Sequence, residues 1–187
     1  MYQICVSGAA KGESVEEGKR LAESIGIAIA NAGHSMLSGA TIGLPNYAAE
    51  AYKKAGGSMS LGISPAASKV EHVMKYRLPT EFYDTILYSG LHYVGRDTLL
   101  ITSSDAVISI GGRLGTLHEF TIAMESSTPI GFLQGAGGIG DEIHTLMGLS
   151  HPIKRGSLVA FNDSAEELIK ELTKHLDIEH RQYKNLY

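Results

Sequence analysis

The sequence carries one cysteine, Cys5, in 187 residues, which excludes an intramolecular disulfide. A lone thiol within the first apolar run reads as a buried side chain in a reducing compartment. No apolar run approaches the roughly 20 residues that a membrane-spanning helix needs. The start, Met1-Tyr-Gln-Ile-Cys-Val6, has neither the basic region nor the long apolar stretch of a secretory leader. The expectation is a cytoplasmic protein without a membrane partner. Basic charge is also scarce. Sixteen Lys and Arg stand against 20 Asp and Glu, a formal net charge of −4, and the basic residues are scattered. Nucleic-acid binders carry a basic face or stripe, so DNA and RNA are not expected as partners. The eight histidines show no ligand spacing, so no metal site is expected. Repeats, low-complexity segments and linkers are missing as well, which leaves a single domain over residues 1–187.

What is present is alternation. Apolar runs at Tyr2–Val6, His34–Ser38, Ser58–Ile63, Ala106–Ile110, Pro129–Leu133 and Leu158–Phe161 read as strands. Between and after them, 3.6-residue periodicity predicts helices at Ser14–Ala32, Leu44–Ala55, Leu91–Thr102, Thr116–Glu125 and Ser164–His180. The stretch Ser64–Tyr83 has little periodicity and is expected to be irregular. This order predicts an α/β, Rossmann-like doubly wound fold: a mostly parallel sheet of about seven strands, with helices on both faces in three layers. In such sheets ligands sit beyond the carboxyl ends of the strands, where strand order reverses.

Three glycine-rich turns fall at those ends: Ser7-Gly8-Ala-Ala10, Ser38-Gly39-Ala-Thr-Ile-Gly43 and Gly111-Gly112-Arg-Leu-Gly115-Thr116. A strand, a glycine turn and a helix N-terminus together aim backbone N–H groups and a helix dipole at one point, which suits a phosphate. Ser7, Gly8, Ser38, Gly39, Gly43, Gly111, Gly112, Gly115 and Thr116 are therefore candidate ligand- and phosphate-binding residues. Glu119 has two readings. Thr116-x-x-Glu119 is a capping box, a pattern repeated at Ser14-x-x-Glu17 and Ser164-x-x-Glu167, but the two glycines before the loop and the one inside it move the segment toward an anion site. Arg96 likewise either closes a phosphate site or pairs with a neighbour such as Asp97 at the surface. Gly135-Ala-Gly-Gly-Ile-Gly140 has dinucleotide-fingerprint spacing without the strand–helix–strand context. It is expected to be a flexible loop.

Taken together, Gly95-Arg96-x8-Asp105-Ala-Val-Ile-Ser-Ile-Gly-Gly-x-x-Gly-Thr-x-x-Glu119 resembles the LONELY GUY family, once labelled "putative lysine decarboxylase". Leu37-Ser-Gly-Ala-Thr-Ile-Gly43-Leu-Pro and Gly62-Ile-Ser-Pro65 extend the resemblance over roughly the first 135 residues. Three departures stand out. Ile110 replaces a proline, the glycine loop holds one extra residue, and Asp97 occupies the place of a lysine. These are closer to the uncharacterised, molybdenum-cofactor-carrier-like branch of the superfamily. The resemblance implies hydrolysis of nucleoside 5′-monophosphates to free base and ribose 5-phosphate, with Arg96 and Glu119 as the catalytic pair, no required cofactor, and a homodimer formed through the helices near Leu91–Thr102 and Thr116–Glu125. Its alternative is a non-catalytic carrier of a nucleotide or pterin cofactor. Decarboxylation is not expected, because it would need pyridoxal phosphate on a lysine and the three turns hold none.

Overall fold

A computed structural model of the chain describes residues 1–149 and 158–183. Seven strands form one sheet: β1 (Gln3–Gly8), β2 (Ser35–Ser38), β3 (Ser60–Ser64), β4 (Thr85–Tyr88), β5 (Ala106–Ile110), β6 (Ile130–Leu133) and β7 (Val159–Asn162). Every pairing is parallel and the spatial order is β4-β3-β2-β1-β5-β6-β7. The chain starts at the centre, winds outward to β4, returns to β5 beside β1, and winds outward again. The order therefore reverses between β1 and β5, with Val6 opposite Ile108 and Ser7 opposite Ser109.

Parallel strands need crossover connections, so both faces are covered and the central strands read as continuous apolar runs. In β1, Ile4 and Val6 belong to the core beneath α1 (Glu13–Asn31), α2 (Leu44–Lys54) and α6 (Ala165–Glu179). Cys5, on the opposite face of the same strand, joins Leu100 and Ile101 of α3 (His92–Thr102), Phe120 and Ala123 of α4 (Leu114–Ser126) and Ile143 of α5 (Ile139–Leu149). The period of two in a strand separates the cores, and the result is the expected three-layer, doubly wound fold. Among the described residues no helix is long and apolar enough to cross a membrane.

Three elements depart from the sequence expectation: β4, a π-helical turn and α5. The chain just past the irregular excursion supplies an edge strand, β4, and the excursion itself contains a π-helical turn at Glu71–Lys75. The glycine-rich segment Gly135–Gly140 is not a free loop. Ala136 is buried, Ile139 N–H donates to Gly112 O at 3.0 Å, and Ile139 and Gly140 already open α5. The segment packs behind the Gly111–Gly112 turn and braces it.

Candidate functional site

A cavity of about 310 Å³ opens where the strand order reverses, within the range of roughly 300–1,000 Å³ typical of ligand pockets. Its wall is built from parts of five elements, with Pro45 supplied by the start of α2. Val6 to Lys11 come from the end of β1 and the turn after it, Gly39 and Thr41 from the turn after β2, Tyr93, Arg96 and Asp97 from α3, and Arg113, Gly115, Thr116 and Glu119 from the start of α4. All three glycine-rich turns meet here, yet not all their candidate residues line the space. Ser7, Gly8, Gly39, Arg96, Gly115, Thr116 and Glu119 do.

Ser38, Gly43, Gly111 and Gly112 are outside the wall and shape it instead. Ser38 Oγ accepts from Ala40 N–H at 3.1 Å and contacts the Tyr83 hydroxyl at 2.9 Å, which fixes the second turn. Gly43 caps α2 and lies against the Ala9 and Ala10 backbone. Gly111 and Gly112 take φ of 56° and 95°, a left-handed geometry that favours glycine. A Cβ on Gly112 would stand 2.0 Å from Thr116 Oγ1, so the turn and the first turn of α4 fit only without a side chain there.

The capping-box reading of Glu119 is corrected by the start of α4. The helix begins at Leu114 with Arg113 as its N-cap, so Thr116 lies inside the first turn and caps nothing. Ser14 is no cap either, since Gly12 holds that position in α1. Only Ser164 behaves as the pattern suggests, accepting from Glu167 N–H at 3.4 Å. Glu119 turns to the sheet, where Ser7 Oγ donates to its Oε2. Burial pushes its carboxyl up to about 7, and the nearby Asp97 charge adds to the rise, while the Ser7 hydrogen bond, Arg96 and His118 oppose it.

The surface-pair reading of Arg96 is corrected too. Arg96 is only 4% exposed and Asp97 6%. The guanidinium lies against Gly39, where an added Cβ would come within 1.6 Å of Nη1. Its Nε is 3.2 Å from Asp97 Oδ1 but out of line for a hydrogen bond, so the Nε–H has no acceptor among the described residues. The other Asp97 oxygen accepts from His118 Nδ1 at 3.0 Å. Asp97 thus balances Arg96 from a position where the resembled motif has a cation.

Lys11, Tyr93 and Arg113 were not visible as site residues in the sequence. Lys11 lies one residue past the first turn, and Arg113 occupies the glycine loop that has one residue more than the resembled motif. Both are exposed on the wall and neither makes an ion pair among the described residues. The cavity therefore combines a helix N-terminus, two free cations at its rim, a buried guanidinium with an unused donor, and a carboxyl that gains and loses its proton near neutrality. That combination has the charge and the proton-transfer group that suit an anionic ligand. No group of three or more His, Cys, Asp or Glu among the described residues is placed to hold a metal.

A doubly wound parallel sheet with such a cavity at its reversal point defines a Rossmann-like nucleotide-binding class of domain. Within that class the chain belongs to the SLOG cluster4 family, part of the LONELY GUY-like superfamily, whose family model matches residues 1–169. An uncharacterised protein of Archaeoglobus fulgidus is 32% identical over 134 residues, covering 72% of this chain and 81% of the relative. The molybdenum cofactor binding protein of the phototrophic bacterium Rippkaea orientalis superposes with a TM-score of 0.72 at 25% identity, over 92% of this chain and 96% of that one. The molybdenum cofactor carrier protein of Chlamydomonas reinhardtii has the same fold, with a TM-score of 0.74 at 23% identity over 94% and 98% of the two chains. The expected branch of the superfamily is the one found.

Proposed function

We propose that the cavity binds a nucleoside 5′-monophosphate and hydrolyses its N-glycosidic bond, releasing the free base and ribose 5-phosphate. The observation that carries this reading is Glu119, held by Ser7 in the cavity wall with its carboxyl pushed up to about 7. The 5′-phosphate lies at the N-terminus of α4, on the N–H groups of Gly115 and Thr116, with Arg113 and Lys11 at its sides. Gly111 and Gly112 contribute by turning the backbone so that those groups converge. Breaking the bond between the sugar carbon and the base nitrogen builds positive charge on the ribose, as in glycoside hydrolysis. Ionised Glu119 offsets that charge and takes the proton from the water that attacks the same carbon. The water's hydroxyl stays on the sugar carbon, and the proton taken by Glu119 passes by way of solvent to the leaving nitrogen, so the products are neutral base and ribose 5-phosphate and Glu119 is ionised again. Arg96, with its Nε–H uncommitted, fixes the sugar phosphate against Glu119. No step needs a cofactor.

The second reading is a carrier that holds a phosphate-bearing nucleotide or pterin cofactor unchanged. Asp97 favours it, because a carboxylate 3.2 Å from Arg96 cancels much of the charge that transition-state stabilisation would use. A homodimer along α3 and α4 is proposed with either reading, supported by Val94 at 70% and Leu114 at 80% exposure on those helices. Light scattering of the purified chain tests it directly.

Thermal melts with purine and pyrimidine monophosphates, the matching nucleosides and inorganic phosphate, each followed by assay for free base, separate the two functions. A ligand at about a hundred times its dissociation constant adds roughly 2.7 kcal/mol to stability, so monophosphates should raise the melting temperature and nucleosides should not. Base released from a stabilising monophosphate supports hydrolysis. Stabilisation without release supports carriage, and no stabilisation by any of them overturns both nucleotide readings.

A further inference from the structure

We propose that Tyr93 is the platform on which the ligand's planar heterocycle stacks, so that the site selects phosphate monoesters bearing a purine- or pterin-like ring. The inference rests on the reading of the cavity as a phosphate-ligand site, and it holds for hydrolase and carrier alike. Among the described residues Tyr93 is the sole aromatic side chain in the cavity wall. It stands on α3, whereas the phosphate-binding groups stand at the start of α4, so the two ends of a ligand would meet different helices.

Its neighbours fix the ring without covering it. The Arg96 guanidinium carbon lies 6.0 Å from the ring centroid, close enough for a cation–π contact. The Tyr76 ring meets it edge-on, with centroids 5.6 Å apart and planes at 75°, and the Tyr76 hydroxyl is itself held 2.8 Å from His92 Nδ1. Despite these contacts Tyr93 remains 46% exposed. A ring anchored in this way has already lost most of its rotational freedom, so stacking on it costs little further ordering. Burial of its other part raises the phenol above its ordinary value of 10.0, so the platform is a neutral ring at any physiological pH. The Tyr93 hydroxyl makes no hydrogen bond among the described residues, so its removal in Tyr93→Phe leaves the ring's setting intact.

Isothermal titration of 5′-AMP and of ribose 5-phosphate tests the assignment. Tyr93→Ala should weaken AMP by roughly five- to a hundredfold, the range that base–aromatic stacking spans by alanine substitution, and leave ribose 5-phosphate within twofold. Tyr93→Phe should restore AMP affinity. The chain has no tryptophan, so Tyr93→Trp supplies a single tryptophan, excited at wavelengths the tyrosines do not absorb, whose emission AMP should quench and ribose 5-phosphate should not. Unchanged ribose 5-phosphate affinity also shows that Arg96 and the phosphate site have survived the alanine substitution. Equal weakening of both ligands, no weakening of AMP, or no binding of AMP to the unmodified chain would each overturn the proposal. AMP that binds, quenches and is never cleaved overturns hydrolysis alone and leaves Tyr93 in its role.

Discussion

The two ends of the sheet both bury polar side chains, but they treat them differently. At the amino end, His34 accepts from Tyr2 N–H at 3.4 Å through Nδ1 and contacts Thr173 Oγ1 at 3.0 Å through Nε2, while the Tyr2 hydroxyl donates to Asp177 at 2.7 Å. Each group has its partner, and burial with the nearby amino terminus holds the His34 imidazole below its ordinary value, so the ring stays neutral. At the carboxyl end, the Arg96 Nε–H and the Ser109 hydroxyl are buried without partners among the described residues, and Glu119 keeps a proton far above the usual carboxylate range. A satisfied network adds stability and asks for nothing more. Unsatisfied groups cost stability unless a ligand completes them. The Ser64–His72 pair, at the carboxyl end of β3, makes the same point away from the cavity. It has the look of a nucleophile and its base, with Oγ and Nδ1 at 2.8 Å, but both residues are fully buried and Nε2 is spent on Pro79 O at 2.9 Å. It is a staple for the π-helical turn.

The sharpest way to break this contrast is Glu119→Gln. It should lower turnover by roughly 10²–10⁴-fold, the usual worth of a general acid or base, with ligand affinity within a few-fold. Because ionised Glu119 is the active form, kcat/KM of the unmodified enzyme should rise with pH through about 7. Stability should move the other way. The folded chain holds this proton above the ordinary value of 4.5, so between about 4.5 and 7 the unfolded chain loses it first and the fold weakens as pH rises. Glu119→Gln removes that slope and should be more stable at neutral pH, by about 3 kcal/mol at most. A variant that is less stable at every pH would return Glu119 to a purely structural role.

Gly39→Ala is the next largest. The backbone there accepts alanine, but the new Cβ displaces the Arg96 guanidinium. Affinity for ribose 5-phosphate, read by calorimetry, should fall about tenfold or more if Arg96 must be held in place. Unchanged affinity would show that Arg96 takes no part in binding. Tyr2→Phe is the smallest and serves at the other end of the sheet. It should cost about 1 kcal/mol in denaturant unfolding and leave ligand affinity as it was. A loss of affinity would mean that the two ends are not independent.

Much of the fold was legible because the central strands and the long helices are strongly patterned. Leu168, Leu172 and Leu176 of α6 are buried as their spacing implies, as are Ala48, Ala51 and Tyr52 of α2. Strand β4 escaped notice because an edge strand of four residues, alternately exposed and half-buried, needs no long apolar run. Its β-branched and aromatic residues, Thr85-Ile-Leu-Tyr88, were the available signal. Helix α5 was hidden by the glycines before it, although Asp141 and Glu142 in its first turn are a regular start signal. At the site, the sequence brought the three turns together but could not divide their glycines into those that line the cavity and those that shape its wall. That division depends on which way each backbone turns. Lys11, Tyr93 and Arg113 went unseen for a related reason: each meets the others only across the reversal point, on elements far apart in the chain.

The bond from Ser7 to Glu119 spans 112 positions of the sequence, and that distance has a consequence for how the protein comes into being. A chain emerging from the ribosome can pair β1 with β2, and β2 with β3, early, from contiguous sequence. It has no cavity until β5 inserts on the far side of β1 and α4 follows it. Such distant closure is slow relative to local pairing. The ligand therefore cannot template the first half of the fold. It meets only chains that have already completed the return to the centre, and its binding is a report that the second half has docked.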